Sequence, residues 1–221
     1  MSHRLEVPMR SAGADTIAPT PQARRDADVS HADRTDEELI ALAQAGDEAA
    51  FGDFVNRHVA SVHRWMIRAV GESDADDMTQ DVFLKAYRGL PHFRREAPPR
   101  AWLASIADNA VKNRYRSLSR FRRVFAPQPA QDAPAADPPE RSAGPEGQAR
   151  AGEARRFVAE ALKLLPVEFR MPVVLRDLEQ WSYDEIAVSL NLPVGTVKSR
   201  IARGRGQLKT ILSPMLNGTL P

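Results

Sequence analysis

The stretch Trp181 to Lys209, WSYDEIAVSLNLPVGTVKSRIARGRGQLK, restricts the fold more than any other. Ser182 with Glu185 three residues on makes an S-x-x-E capping box, which starts a helix by satisfying two orphan backbone donors. Ile186, Ala187 and Leu190 then follow at core spacing. Asn191 readily takes the left-handed conformation that ends a helix, and Pro193 blocks continuation. A second helix starts near Val194. Val194, Val197, Ile201 and Leu208 share one side of it, while Lys198, Ser199, Ala202 and Arg203 centre roughly 150° away at ~100° per residue. Five basic residues (Lys198, Arg200, Arg203, Arg205 and Lys209) and no acid stand between Val194 and Lys209. This is a helix-turn-helix pattern: one face docks on partner helices, the other shows side chains to a DNA major groove. A solvated basic helix is the plainer alternative, but caps, turn, apolar face and charge all agree on the motif.

Strand-like alternation is hard to find, so an all-α protein is expected. The 221 residues allow two small helical domains. With no cysteine, disulfides and thiolate metal sites are excluded. No apolar run approaches the ~20 residues of a membrane helix, and the first residues lack the apolar core of a signal peptide. No membrane insertion is expected, and the location expected is cytoplasmic. The net charge is only +2, so its distribution matters more than its sum.

Residues 1–34 carry mixed charge, three prolines and few large apolar residues, and read as a disordered leader. Thr35 and Glu38 make a second capping box, opening a short helix with Leu39, Ile40 and Leu42 that stops near Gly46. A longer helix runs from about Glu48 to Val70, with Phe51, Phe54, Val55, His58, Val62, Trp65, Met66 and Ala69 on one stripe. His58 reads as a packed histidine rather than a ligand. Gly71 ends the helix.

Residues 72–81, ESDADDMTQD, hold five carboxylates and no base. Ser73 reads as a helix cap, and acids there suit the positive end of the helix dipole. A metal site on Asp74, Asp76, Asp77 and Asp81 lacks the His or Cys partners it would need. An acidic contact patch for a basic partner is the better functional reading. The loop PHFRREAPPR (91–100) has Phe93 as its only large apolar residue. A helix from about Ala101 has a core face of Trp102, Leu103, Ile106, Ala107, Ala110 and Val111. Asn109, Asn113, Tyr115 and Arg116 are interleaved with basic residues along it, a mixture suited to single-stranded nucleic acid.

Residues 118–150 read as a flexible, acidic, Pro-rich linker. A second folded region, 151–216, has Phe157, Val158, Ala161, Leu162 and Leu165 on one helix and Phe169, Val173, Val174, Leu175 and Leu178 on the next. The helix-turn-helix completes it.

In this order the chain resembles the two-domain bacterial sigma factors of the extracytoplasmic-function group. The resemblance rests on DADDMTQDVFLKAYRGL (74–90), on HFR with AWLASIADNAVKNRYR (92–116), and on LPVEFRMPVVLRDLEQWSYDEIAVSLNLPVGTVKSRIARGRGQL (165–208). It covers about Asp36 to Leu212. It implies a protein that binds core RNA polymerase, directs it to promoters and helps melt the start site, in a stress or envelope response. It implies no catalytic residue, no cofactor and no metal. The matched positions assign Asp76, Asp77, Gln80 and Asp81 to the clamp helices of the polymerase β′ subunit, with a further contact to the β flap. Phe93 and Asn109, with Asn113 and Arg116, fall to the −10 element. Lys198, Ser199, Ala202, Arg203 and Arg205 fall to the −35 element. The resemblance also implies an anti-sigma factor, often membrane-bound.

Two departures bear on specificity. The loop reads FRREAPPRAW where the family commonly has Gly after the first Phe-Arg; Arg95, Pro98 and Pro99 make it stiffer and more basic. Lys198 stands where Arg is frequent, and lysine cannot make the planar bidentate contact to guanine. The alternative from another class is a stand-alone helix-turn-helix regulator, which has no need of an aromatic, single-strand-like loop.

Overall fold

The computed structural model describes residues 31–125 and 157–216. The expected leader falls outside these, apart from 31–34, where His31–Asp33 form one turn of 3-10 helix. Most of the expected linker also lies outside.

Among the described residues every regular element is helical. The elements are α1 (Asp36–Gln44), α2 (Glu48–Val70), α3 (Glu72–Gly89), a 3-10 turn at Leu90–His92 and α4 (Pro99–Phe125). Then come α5 (157–164), α6 (Val167–Val173) with a π-helical turn Val174–Leu178, α7 (Tyr183–Leu190) and α8 (Val194–Leu216).

The starts and stops follow from local chemistry. Both capping boxes form: Thr35 Oγ1 accepts from Glu38 N–H at 3.2 Å, and Ser182 Oγ from Glu185 N–H at 3.1 Å, each reciprocated by the glutamate. Asn191 ends α7 at φ 50°, ψ 54°. Gly71 both closes α2 and opens α3 at φ 94°, a backbone state that disfavours any side chain. The expected cap Ser73 is therefore corrected: it lies inside the first turn of α3, and no side chain caps that helix. Pro99 opens α4 at the first helical position, where its missing N–H costs nothing. That helix runs on to Phe125, past the 117 boundary read from the sequence.

One continuous apolar cluster holds the fold. In α1–α4, Phe54, Trp65, Met66, Val82 and Leu103 are fully or nearly fully buried. In α5–α8, Leu162, Leu165, Met171, Leu175, Ile186 and Ile201 are. Most of the expected core positions are buried; Leu42, Val55, Trp102, Ile106, Phe157, Val158, Val194 and Leu208 are half-buried, and the outlier is Leu178, 36 % exposed. It sits in the π turn after Pro172, where the helical phase shifts and carries it outward.

The described elements from Arg34 onward belong to one compact unit. Trp65 of α2 meets Trp181 edge-on, with ring centroids 5.8 Å apart, and Arg68 reaches Glu179 at 2.7 Å. Arg100, at the start of α4, lies 4.5 Å over the same Trp181 ring. Among the described residues no helix is long and apolar enough to cross a membrane.

Candidate nucleic-acid and protein interfaces

The exposed face of α8 is set by its packing. Val197 and Ile201 are buried, and Gly204 lets the helix press on α6: a Cβ there would come 2.7 Å from Val173 Cγ2. Lys198, Ser199, Ala202 and Arg203 are exposed on the other side. Ser199 Oγ donates to Thr196 C=O at 2.9 Å, which leaves its oxygen able to accept. Lys198 Nζ lies 5.6 Å from the centre of the Tyr183 ring. Arg205 differs from these. Its Nε and Nη2 meet both oxygens of Asp177 at 3.0 and 2.5 Å, a fork-to-fork pair. The hydrogen bond to Asp177 raises the Arg205 pKa. This partner sits in the π turn 28 residues earlier, beyond the reach of any local pattern.

On α4, Trp102, Asn109, Asn113 and Arg116 share one helix face, since spacings of 7, 11 and 14 residues return to nearly the same direction. Asn109, Asn113 and Arg116 are exposed. Phe93 stands at the end of this stripe, half-buried, with its ring centroid 4.7 Å from that of Trp102. The structure thus brings the loop aromatic and the polar face of α4 into one line. Asp108, next to Asn109, is buried and ion-paired with Lys112. Burial pushes its carboxyl above the usual range, against the pull of Lys112 and of Arg200 on the recognition helix.

The acidic run of α3 is less open than its sequence suggests. Asp74 takes Arg114 of α4 at 2.8 Å, Asp76 takes His63 of α2 at 2.9 Å, and Asp81 takes Lys85 at 2.5 Å. Glu72, Asp77 and Gln80 are exposed. Beside them runs a groove of about 630 Å³ between α2 and α3, with Asp76 and Gln80 on its wall. Val59, Leu84 and Tyr87 also line it and are 39 %, 47 % and 49 % exposed. This apolar groove was not read from the sequence; Leu84 and Tyr87 were the available signal, one turn from the acids. Among the described residues no group of three or more His, Asp or Glu side chains is placed to hold a metal ion.

Comparison with known proteins gives this arrangement a lineage. The Sigma-70 region 2 family matches residues 54–121, and Sigma-70 region 4 matches 158–208. The chain is 33 % identical over 190 residues to the ECF RNA polymerase sigma-E factor of Haemophilus influenzae, covering 82 % of this chain and 97 % of that protein. The sigma-E factor of Escherichia coli K12 is 34 % identical, with 82 % and 96 % covered. Among solved structures, CnrH in complex with the cytosolic domain of CnrY superposes with a TM-score of 0.56 at 34 % identity, covering 80 % of this chain and 96 % of that one. The sigma factor RpoE of Bartonella quintana, in complex with the anti-sigma factor NepR, shares the fold at 22 % identity and the same TM-score, with 73 % and 96 % covered. With both sigma regions matched in order and sigma-E relatives covered almost end to end, the chain belongs to the extracytoplasmic-function group of sigma factors and directs RNA polymerase to promoters.

Proposed function

We propose that this sigma factor divides its work among three surfaces, with region 2 at about 35–117, a linker at 118–150 and region 4 at 151–216. Asp76, Asp77, Gln80 and Asp81, with the groove beside them, take the β′ clamp helices of core RNA polymerase, and region 4 adds a contact to the β flap. Phe93, Asn109, Asn113 and Arg116 hold the unpaired −10 strand. Lys198, Ser199, Ala202 and Arg203 read the −35 element, with Arg205 joining once it leaves Asp177. An anti-sigma factor restrains the protein in the cytoplasm until a stress releases it. CnrH was solved with the cytosolic domain of CnrY, and RpoE of Bartonella quintana with the anti-sigma factor NepR.

The observation that carries this reading is the junction of exposed acids with an exposed apolar groove on α2 and α3. Apolar contact supplies area there, while negative charge steers a basic partner and fixes its register. The test is binding of the Asp77→Lys, Asp81→Lys double variant to core polymerase. Affinity should fall by roughly tenfold or more, because like-charge juxtaposition costs several kcal/mol before salt screening. Native helicity with unchanged affinity rejects the assignment. A gel shift on duplex promoter with and without core polymerase separates this reading from a stand-alone regulator, which binds alone.

A further inference from the structure

Gln44 closes α1 and is remote in sequence from every residue assigned to DNA. Its side-chain Nε2 donates to two backbone carbonyls at once, Leu90 at 2.9 Å and Phe93 at 2.8 Å. One primary amide has two N–H donors, and both are used on one short segment. That segment is the 3-10 turn that Phe93 N–H closes on Leu90 C=O at 3.2 Å. Beyond Phe93 there is no regular structure until Pro99, and Arg95 sits at φ 58°, in the left-handed region. The Phe93 carbonyl is therefore held by Gln44, while its ring rests on Trp102 of α4.

We propose that Gln44 is a positioning residue for promoter melting: its amide pins the Leu90–Phe93 backbone so that the Phe93 ring meets an extruded base already oriented. This rests on the assignment of Phe93 to the −10 strand made above. A stacking platform fixed before binding has less freedom to lose when the base arrives. Its supporting residue then acts through Phe93 and nowhere else on the DNA. Gln44 serving only to tie α1 to the domain is the alternative, and the two give different thermodynamic patterns.

The experiment is a double-mutant cycle on holoenzyme reconstituted from the full chain and core polymerase. Gln44→Met keeps the side-chain volume and removes both donors. Gln44→Glu keeps the shape and turns an oxygen toward two carbonyl oxygens. Each is combined with Phe93→Ala, and all are assayed well below their melting midpoints. The probes are a fluorescent single-stranded oligonucleotide carrying the −10 sequence selected by the wild-type holoenzyme from a random pool, and a duplex carrying the −35 element. Gln44→Met and Phe93→Ala should each weaken single-strand binding about tenfold, the order expected for loss of one base–aromatic stack. The double variant should be no weaker than Phe93→Ala alone, and duplex binding should not move. Gln44→Glu should match or exceed the Gln44→Met loss. If Phe93→Ala binds normally, the −10 assignment fails and this inference with it. If Phe93→Ala weakens binding while both Gln44 variants bind normally, or if the single effects multiply in full, the −10 assignment stands and the role of Gln44 is wrong.

Discussion

The guanidinium of Arg170 lies 3.9 Å over the ring of Tyr115 while donating to the carbonyls of Leu165, Ala69 and Lys163. It is only 4 % exposed. Burial lowers its pKa, and the interaction with Tyr115 partly restores it. One side chain of α6 thus ties α2 and α4 of the first region to the second. Arginine suits this place because its planar fork can stack and donate in several directions at once. Arg170→Met should cost on the order of 3 kcal/mol, since it removes a buried guanidinium that donates to three carbonyls. Arg170→Lys should recover less than half of that, because an ammonium cannot span the same acceptors. Tyr115→Leu should cost about 1–2 kcal/mol through loss of the cation–π contact. Urea unfolding measures all three, and an Arg170→Met protein as stable as the wild type contradicts the account.

A pH-dependent tie joins the start of α1 to α2. Burial alone would raise the Asp36 carboxyl, but hydrogen bonds and charge from His58 at 2.7 Å and Arg57 at 2.8 Å outweigh it and hold its pKa below the usual value. A folded-state pKa that is depressed means stability present above the unfolded pKa of ~3.9, lost as pH falls through the folded value. Asp36→Asn should therefore lose about 1–2 kcal/mol at neutral pH, an amount moderated by partial exposure. The gap to wild type should close towards the most acidic pH at which both still fold. A constant gap across that range would show that charge plays no part in the tie.

Asp108 should behave in the opposite sense. Its pKa is raised by burial, so the stability it contributes is full below the unfolded value and lost as pH rises through the folded one. Asp108→Asn mimics the protonated form. Its stability relative to wild type should improve as pH rises through the titration of the buried Asp108 carboxyl. Thermal melts at a series of pH values read this directly. A relative stability that falls with pH would mean that the Lys112 pair outweighs burial.

The helix-turn-helix depends on its first cap. Ser182→Ala should cost about 1 kcal/mol by removing the acceptor for Glu185 N–H. Glu185→Gln should cost less, since glutamine also completes a capping box. The Ser182 backbone N–H holds the Glu185 pKa down, so part of this stability is lost in acid. Chemical unfolding of the two variants at neutral and acidic pH gives both numbers. Equal losses at neutral pH would show that the charge of Glu185 matters as much as the serine hydroxyl.

Local signals in the sequence carried far and then stopped at long-range pairing. The two capping boxes, the left-handed Asn191 and the apolar stripes of α2 and α8 are written within a few residues of each other, and they were legible. Ser73 was misread because Gly71 can serve as a helix end on both sides, which spacing alone does not reveal. Leu178 was placed inside because the π turn after Pro172 shifts the helical phase. The acids of α3 looked unpaired because their partners His63 and Arg114 come from other helices, at distances along the chain where no periodicity operates. Gln44 gave no signal at all: a single polar residue at the end of a short helix is ordinary, and only the turn folded over it gives it a task.

Reading of the −35 element should separate along α8 by what each cation already touches. Arg203 is exposed on the face opposite Val197 and Ile201, so it can reach base edges while the helix stays docked. A bidentate arginine–guanine pair is worth about 1–3 kcal/mol of discrimination. Arg203→Ala should relax preference at one base position. Arg205 is held by Asp177 in a pair with side chains 51 % and 28 % exposed, and such pairs contribute only ~0–1 kcal/mol. Phosphate can compete for it. Asp177→Asn should therefore strengthen binding to every duplex alike and steepen the salt dependence by about one counterion. Lys209→Ala should do the reverse, weakening all sequences and reducing the slope by about one. Lys198→Arg should sharpen selection where guanine is its partner, because a fork replaces a point charge. Transcription from a randomised −35 library at two salt concentrations reads all four. A uniform loss for Arg203→Ala with an unchanged sequence preference would make it a phosphate contact. An unchanged slope for Asp177→Asn would mean that Arg205 stays off the DNA even when released.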